Sequence, residues 1–253
     1  MKSKNITGVQ NLSPSKVFVS HLSSGIALAS SFWLAVNVFS INLIDHPSET
    51  LRLISLIEIP VVILVYSIYR KDKYQSSYLK AVARGLLGVP VGAAANALGA
   101  IALGAPVGTQ YFQRTLNWSL MMSAFTVVPA ACVYGSSWVD WHRIFAHTTY
   151  VLDYMNHSHD KDISNVGLVS NAHPSKQINK PIESIDYMIC LPAHGAIIGA
   201  WFGAWPMPLD WERAWQEWPI SVTYGAIIGY LVGLLASFSS VLFHHSRQHV
   251  KGD

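Results

Sequence analysis

The chain has 253 residues and a formal charge of +3, and only 12% of its residues are Asp, Glu, Lys or Arg, roughly half of the usual share of about 25%. Hydrophobic residues make up 51% of the chain, and the mean hydropathy is +0.30. So little charge cannot cover a water-facing surface, which excludes an ordinary soluble globule, and two cysteines exclude a disulfide-rich scaffold.

Six apolar stretches are long enough for membrane spans, which need about 20 residues each. They predict an all-α, polytopic membrane bundle of about six transmembrane helices. We interpret residues 1–253 as a single integral membrane domain, in which residues 140–186 form a cytoplasmic loop insertion without its own fold. In chain order the predicted spans are Val17–Ile44, Leu53–Tyr69, Gly85–Gly108, Thr115–Val139, Tyr187–Leu209 and Pro219–Phe243.

The basic residues predict the orientation of this bundle. Fourteen of the 17 Lys and Arg residues lie in the two tails and in the loops after spans two and four. The other three loops hold only Arg52, Arg114 and Arg213. Because cytoplasmic loops carry an excess of Lys and Arg, we expect both termini in the cytoplasm and the turn between spans five and six on the opposite side.

Spans five and six each carry three glycines at four-residue spacing, which gives each helix a smooth stripe on one face. Small residues let helix backbones approach closely in lipid, so we expect the two spans to pack on each other. Two alternatives stay open: a stripe could receive a helix of another protein, or the small residues could be merely tolerated. The glycines are Gly195, Gly199 and Gly203 in span five and Gly225, Gly229 and Gly233 in span six.

Glu58 is the only acidic residue well inside a span. An intramembrane carboxyl group is costly and often marks a functional site, although a structural Glu that hydrogen-bonds between helices is the simpler interpretation. Together with the Gly-rich third span, Glu58 leaves open a lipid transporter or scramblase as one alternative function.

Histidines suggest a second alternative, a membrane di-iron lipid desaturase or hydroxylase. The topology places a set of them on the cytoplasmic side, where such enzymes hold their irons. The paired H-x2-H-H boxes typical of those enzymes are absent, so we interpret the histidines as part of a solvated loop and expect no metal and no cofactor. The set comprises His142, His147, His157, His159, His173, His244, His245 and His249.

The turn between spans five and six combines prolines, tryptophans and charges. It could be an internally paired turn that fixes the hairpin, or a recognition surface for a partner or a lipid headgroup. Arg213 has the planar guanidinium that suits carboxylate or phosphate. The candidate recognition residues are Asp210, Trp211, Glu212, Arg213, Trp215 and Trp218.

This segment closely resembles the PIG-F family of glycosylphosphatidylinositol (GPI) anchor biosynthesis. The similarity covers Ile198–Leu234, with Pro-Met-Pro-Leu-Asp-Trp-Glu-Arg at its centre and Trp-Pro-Ile-Ser after it. Two further patches are Phe125–Pro129 and Gly104–Pro106.

The resemblance implies a multispan protein of the endoplasmic reticulum that is not itself catalytic. Family members bind and stabilise the ethanolamine phosphate transferases that modify the GPI mannoses. The partners it implies are a PIG-O type enzyme, which acts on the third mannose, and a PIG-G type enzyme, which acts on the second. The resemblance also implies contact with membrane lipid, including the GPI precursor, and it implies no contact with nucleic acid.

Overall fold

The structure is a computed structural model that describes residues 12–70, 77–135, 141, 184–209 and 211–250, with side chains as far as residue 246. Within these ranges it is all-helical. The six long helices are α1 (Pro14–Asn37), α2 (Pro47–Ser67), α3 (Tyr78–Ala102), α4 (Thr109–Tyr134), α5 (Ser184–Ala204) and α6 (Ile220–Val250). Each is long and apolar enough to cross a membrane, which confirms the predicted fold class.

Most predicted boundaries differ from the observed helix ends by several residues, and two of these differences are informative. The first apolar run extends to Ile44, but α1 ends at Asn37. Beyond this end, the side chain of Asn42 accepts hydrogen bonds from the backbone of Ile44 (2.9 Å) and Asp45 (2.8 Å) and holds a turn. In the other direction, α3 begins seven residues before Gly85. Its N-cap, Ser77, accepts a hydrogen bond from the backbone of Lys80 at 3.3 Å, so charged residues form the first turns of this helix.

Helix α4 lies at the centre of the bundle and packs on α2, α3 and α5. Of the residues in its most apolar stretch, 78% are buried, against 22% for α3, which packs mainly on α4 and lies at the periphery. The most extensive helix pair is α5 with α6. These two helices therefore form a hairpin that meets the other four helices through a smaller interface.

The connections α1–α2, α3–α4 and α5–α6 meet at one end of the bundle. Leu43, Ala105 and Trp218, one from each connection, belong to the same buried apolar cluster. The amide of Asn117 also donates a hydrogen bond to the carbonyl oxygen of Ser48 at 3.0 Å and ties α4 to the start of α2. We call this the loop end; the basic-residue pattern predicts that it faces away from the cytoplasm.

Candidate functional site

The segment between α5 and α6, which we call the interfacial turn (residues 205–219), is organised by one buried side chain, Gln216. Its Nε2 donates to the carbonyl oxygens of Pro206 (2.5 Å) and Leu209 (2.8 Å). Its Oε1 accepts a hydrogen bond from the backbone N–H of Arg213 at 3.0 Å. Because a single amide satisfies three backbone groups, it holds the two arms of the turn together. Sequence reasoning did not single out Gln216.

Trp218 anchors the turn to α4. It is buried, its indole N–H donates to Thr115 Oγ1 at 2.9 Å, and its ring lies against that of Trp118 with centroids 5.2 Å apart. The ring and the indole N–H of this buried side chain are thus both engaged within the protein. Trp218 is therefore a buried packing residue and is not exposed to a partner, unlike the other described residues predicted for recognition.

An ion pair ties the turn to the start of α4 a second time. Arg114 Nη1 lies 2.5 Å from Glu217 Oε1 and 3.4 Å from the carbonyl oxygen of Trp218. The two charged side chains are 27% and 50% exposed, so solvent screens the pair, and we expect it to contribute about 1 kcal/mol or less. Glu217 thus pairs with the first turns of α4, whereas the sequence left open pairing within the turn.

The remaining residues of the turn form an exposed tip. Trp211, Glu212 and Arg213 are exposed, and Trp215 is half-buried with its ring 6.0 Å from that of Trp211. Among the described residues, Arg213 forms no ion pair. Asp210 lies outside the described residues. The exposed tip therefore offers an aromatic ring beside a guanidinium and a carboxylate, a combination suited to a polar partner at a membrane surface.

The two glycine stripes face each other. A Cβ on Gly203 would lie 2.5 Å from the carbonyl oxygen of Ser221, and one on Gly233 would lie 2.6 Å from that of Leu191. Between these ends, a Cβ on Gly195 would overlap the carbonyl oxygen of Gly229, and one on Gly199 would overlap that of Gly225. The backbones of α5 and α6 are in direct contact, so these glycines pack within the chain and leave no room there for another protein's helix.

Glu58 lies fully buried where α1, α2 and α6 meet. Its Oε1 accepts a hydrogen bond from the hydroxyl of Ser24, and Ser24 Oγ lies 3.0 Å from the hydroxyl of Tyr230. The ring of Tyr230 stacks on Phe125 of α4 at a centroid distance of 4.1 Å. Glu58 Oε2 has no hydrogen-bond partner among the described residues. This chain of polar groups, the Ser24–Glu58–Tyr230 network, connects three helices in the interior of the bundle.

Most of the predicted histidine set lies outside the described residues. His244 and His245 are placed near the end of α6 and are half-buried, and the side chain of His249 is not described. Within the described part of the chain, no three His, Cys, Asp or Glu side chains come together. Both cysteines, Cys132 and Cys190, are buried free thiols.

The described residues thus form a polytopic membrane bundle with six apolar helices, a glycine-lined hairpin and an exposed tip of aromatic and charged residues at the loop end. Comparison with known sequences identifies its family. The family model described as "PIG-F: GPI biosynthesis protein family Pig-F" matches residues 27–169 and 159–238, and the chain belongs to this family.

Curated relatives agree with this assignment. The mouse (Mus musculus) protein named "GPI ethanolamine phosphate transferase, stabilizing subunit" is 34% identical over 134 residues, which are 53% of this chain and 47% of the mouse protein. The human (Homo sapiens) protein of the same name is 34% identical over 124 residues, 49% of this chain and 42% of that protein. The chain thus spans about half the length of these relatives.

A fission-yeast (Schizosaccharomyces pombe) relative covers more of the chain. It is named "PIGF/3-ketodihydrosphingosine reductase fusion protein" and is 28% identical over 199 residues, which are 79% of this chain and 32% of the fusion protein. No solved structure matches the chain.

Proposed function

We propose that this chain is a non-catalytic membrane subunit of GPI-anchor biosynthesis, which binds and stabilises ethanolamine phosphate transferases in the endoplasmic reticulum membrane. The observation that carries the proposal is membership of the PIG-F family, together with two relatives named as stabilising subunits of such a transferase. The partners that we propose, PIG-O and PIG-G type enzymes that act on the third and second mannoses, follow from the family resemblance.

The architecture supports this proposal in two ways. The connections at the loop end, residues 38–46, 103–108 and 205–219, are short, so the protein meets its surroundings there through turns rather than through a separate domain. The exposed tip also combines Trp211 with the charges of Glu212 and Arg213. We propose that this tip contacts the transferase or the headgroup of its lipid substrate, while Gln216 and Trp218 hold the tip in place.

Affinity purification from native membranes tests the proposed function. The tagged chain is expected to recover an ethanolamine phosphate transferase, and depletion of the chain is expected to shorten the lifetime of that enzyme. Purification without any transferase, and an unchanged enzyme lifetime, would refute the proposal.

A substitution tests the tip. Arg213→Ala is expected to reduce GPI-anchor maturation, because it removes the guanidinium that the tip presents. Arg52→Ala is the matched control, since Arg52 is an exposed arginine at the same loop end, at the start of α2. Surface display of a GPI-anchored reporter measures both variants. If the two substitutions had equal effects, Arg213 would make no specific contact in the complex.

A further inference from the structure

The face of α5 that points away from the bundle carries a histidine at the middle of the helix. His194 lies ten residues from each end of α5, which at 1.5 Å per residue places it about 15 Å from either end. The apolar core of a bilayer is about 30 Å thick. In a bilayer that α5 spans from end to end, the half-buried ring of His194 therefore lies at mid-depth.

The hydrogen bonding of this ring shows which of its nitrogens can accept a hydrogen bond from a neighbouring molecule. Nδ1 lies 2.7 Å from the carbonyl oxygen of Cys190, one turn earlier in the same helix. A carbonyl oxygen only accepts hydrogen bonds, so Nδ1 carries the proton. In the neutral ring, Nε2 then has a bare lone pair. No hydrogen bond from a described residue reaches Nε2.

The surroundings of His194 on this face are apolar and exposed. Residues at spacings of four, seven and eleven share one side of an α-helix, and these positions hold Ile198 and Trp201 of α5 and Trp205, which directly follows its last residue, Ala204. Their side chains are 53%, 53% and 56% exposed. We call these three residues and His194 the outer face of α5. The opposite side of the helix carries the glycines that contact α6.

Acyl chains cannot satisfy the histidine, because they contain no hydrogen-bond donor. A tryptophan at the end of a span is explained by the membrane interface, and that covers Trp205, but it does not apply to an imidazole at mid-depth. Side chains that hydrogen-bond between helices are a recognised source of association in membranes. A neighbouring helix with an N–H or O–H group at mid-depth would supply the hydrogen-bond donor that His194 Nε2 lacks.

We propose that the outer face of α5 docks a transmembrane helix of the transferase, which donates a hydrogen bond from a hydroxyl, amide or indole group to His194 Nε2. This inference rests on the proposed function and adds the surface through which the partner is bound. It is independent of the exposed tip, because a membrane-buried contact and a loop-end contact involve different residues.

Site-specific photocrosslinking tests the surface in intact membranes. A photoreactive amino acid at Ile198 is expected to form an adduct with the transferase. The matched control is Val91, which is 66% exposed near the middle of the peripheral helix α3. Equal transferase adducts from both positions would overturn the inference, as would an adduct at twice the mass of the chain, which would indicate a second copy.

A substitution gives a second, independent readout. His194→Leu is expected to lower recovery of the transferase about threefold, which corresponds to the average interhelical hydrogen bond measured in a membrane protein, and His194→Gln, which retains an acceptor, is expected to restore part of it. Unchanged recovery with His194→Leu would overturn the inference. If the unmodified chain recovers no transferase at all, the proposed function itself fails.

Discussion

At the scale of single residues, the interfacial turn depends on a side chain whose importance comes from its position alone. Gln216 is uncharged and lies among tryptophans and charges that attract more notice, yet it satisfies three backbone groups of the turn. Buried backbone groups that lose their partners are costly. We therefore expect the exposed tip to lose its shape when this amide is removed.

Gln216→Leu is expected to open the turn. Three hydrogen bonds at a net value of about 1 kcal/mol each suggest a loss large enough to raise tryptic cleavage after Arg213 about tenfold or more. Limited proteolysis of the purified protein measures this rate. Gln113→Leu provides the control, because Gln113 is exposed near the start of α4. Cleavage at the same rate in both variants would contradict the role of Gln216.

The ion pair between Arg114 and Glu217 shows why part of the site could not be predicted. Its members lie 103 residues apart in the sequence, and no local spacing connects them. Both residues were visible as charges near span ends, but only the packing of α4 beside α6 brings them together. The same holds for Trp218, whose partner Thr115 belongs to α4.

At the scale of helices, the sequence predicts the number and class of the described spans correctly, because a membrane span is recognisable from the length and hydropathy of an apolar stretch. It predicted the boundaries less well. Arg84 and Arg114 look like span ends, yet both lie within helices, α3 and α4. The four-residue glycine spacing was also visible in the sequence. Only the folded hairpin shows that the two stripes face each other.

Gly229→Leu is expected to separate α5 from α6. The obstruction is backbone, the carbonyl oxygen of Gly195, which cannot move aside as a flexible side chain could. We expect a loss of about 3 kcal/mol of stability, the upper part of the range for overpacking. Thermal unfolding in detergent measures the loss.

Gly25→Leu is the matched control, since a Cβ at Gly25 of α1 would meet nothing within 4 Å. This variant is expected to unfold at nearly the temperature of the unmodified protein. If both variants lose equal stability, the contact between α5 and α6 is not what the glycines secure.

At the scale of the whole molecule, the arrangement of connections agrees with alternating spans. The three described connections that meet at the loop end each join an odd-numbered helix to the next even-numbered one. Their common position requires the helices to run alternately up and down. The direction of the whole bundle in the membrane is a prediction from the distribution of Lys and Arg.

Cysteine labelling tests this direction. Because Cys132 and Cys190 are buried, a membrane-impermeant maleimide has little background. In sealed microsomes, Ser246→Cys, an exposed position near the end of α6, is expected to react at once, whereas Glu212→Cys on the exposed tip is expected to react only after the membrane is permeabilised. The reverse pattern would invert the predicted topology.

The Ser24–Glu58–Tyr230 network also bears on how the protein is made. Ser24 and Glu58 lie in the neighbouring helices α1 and α2, whereas Tyr230 follows Ser24 by 206 residues. The carboxyl group can thus find its first partner well before α6 is synthesised, and α6 then completes the network. Chains that stop short of α6 lack the contact between Ser24 and Tyr230. This missing contact is a chemical difference between a finished and an unfinished copy, on which quality control in the membrane can act.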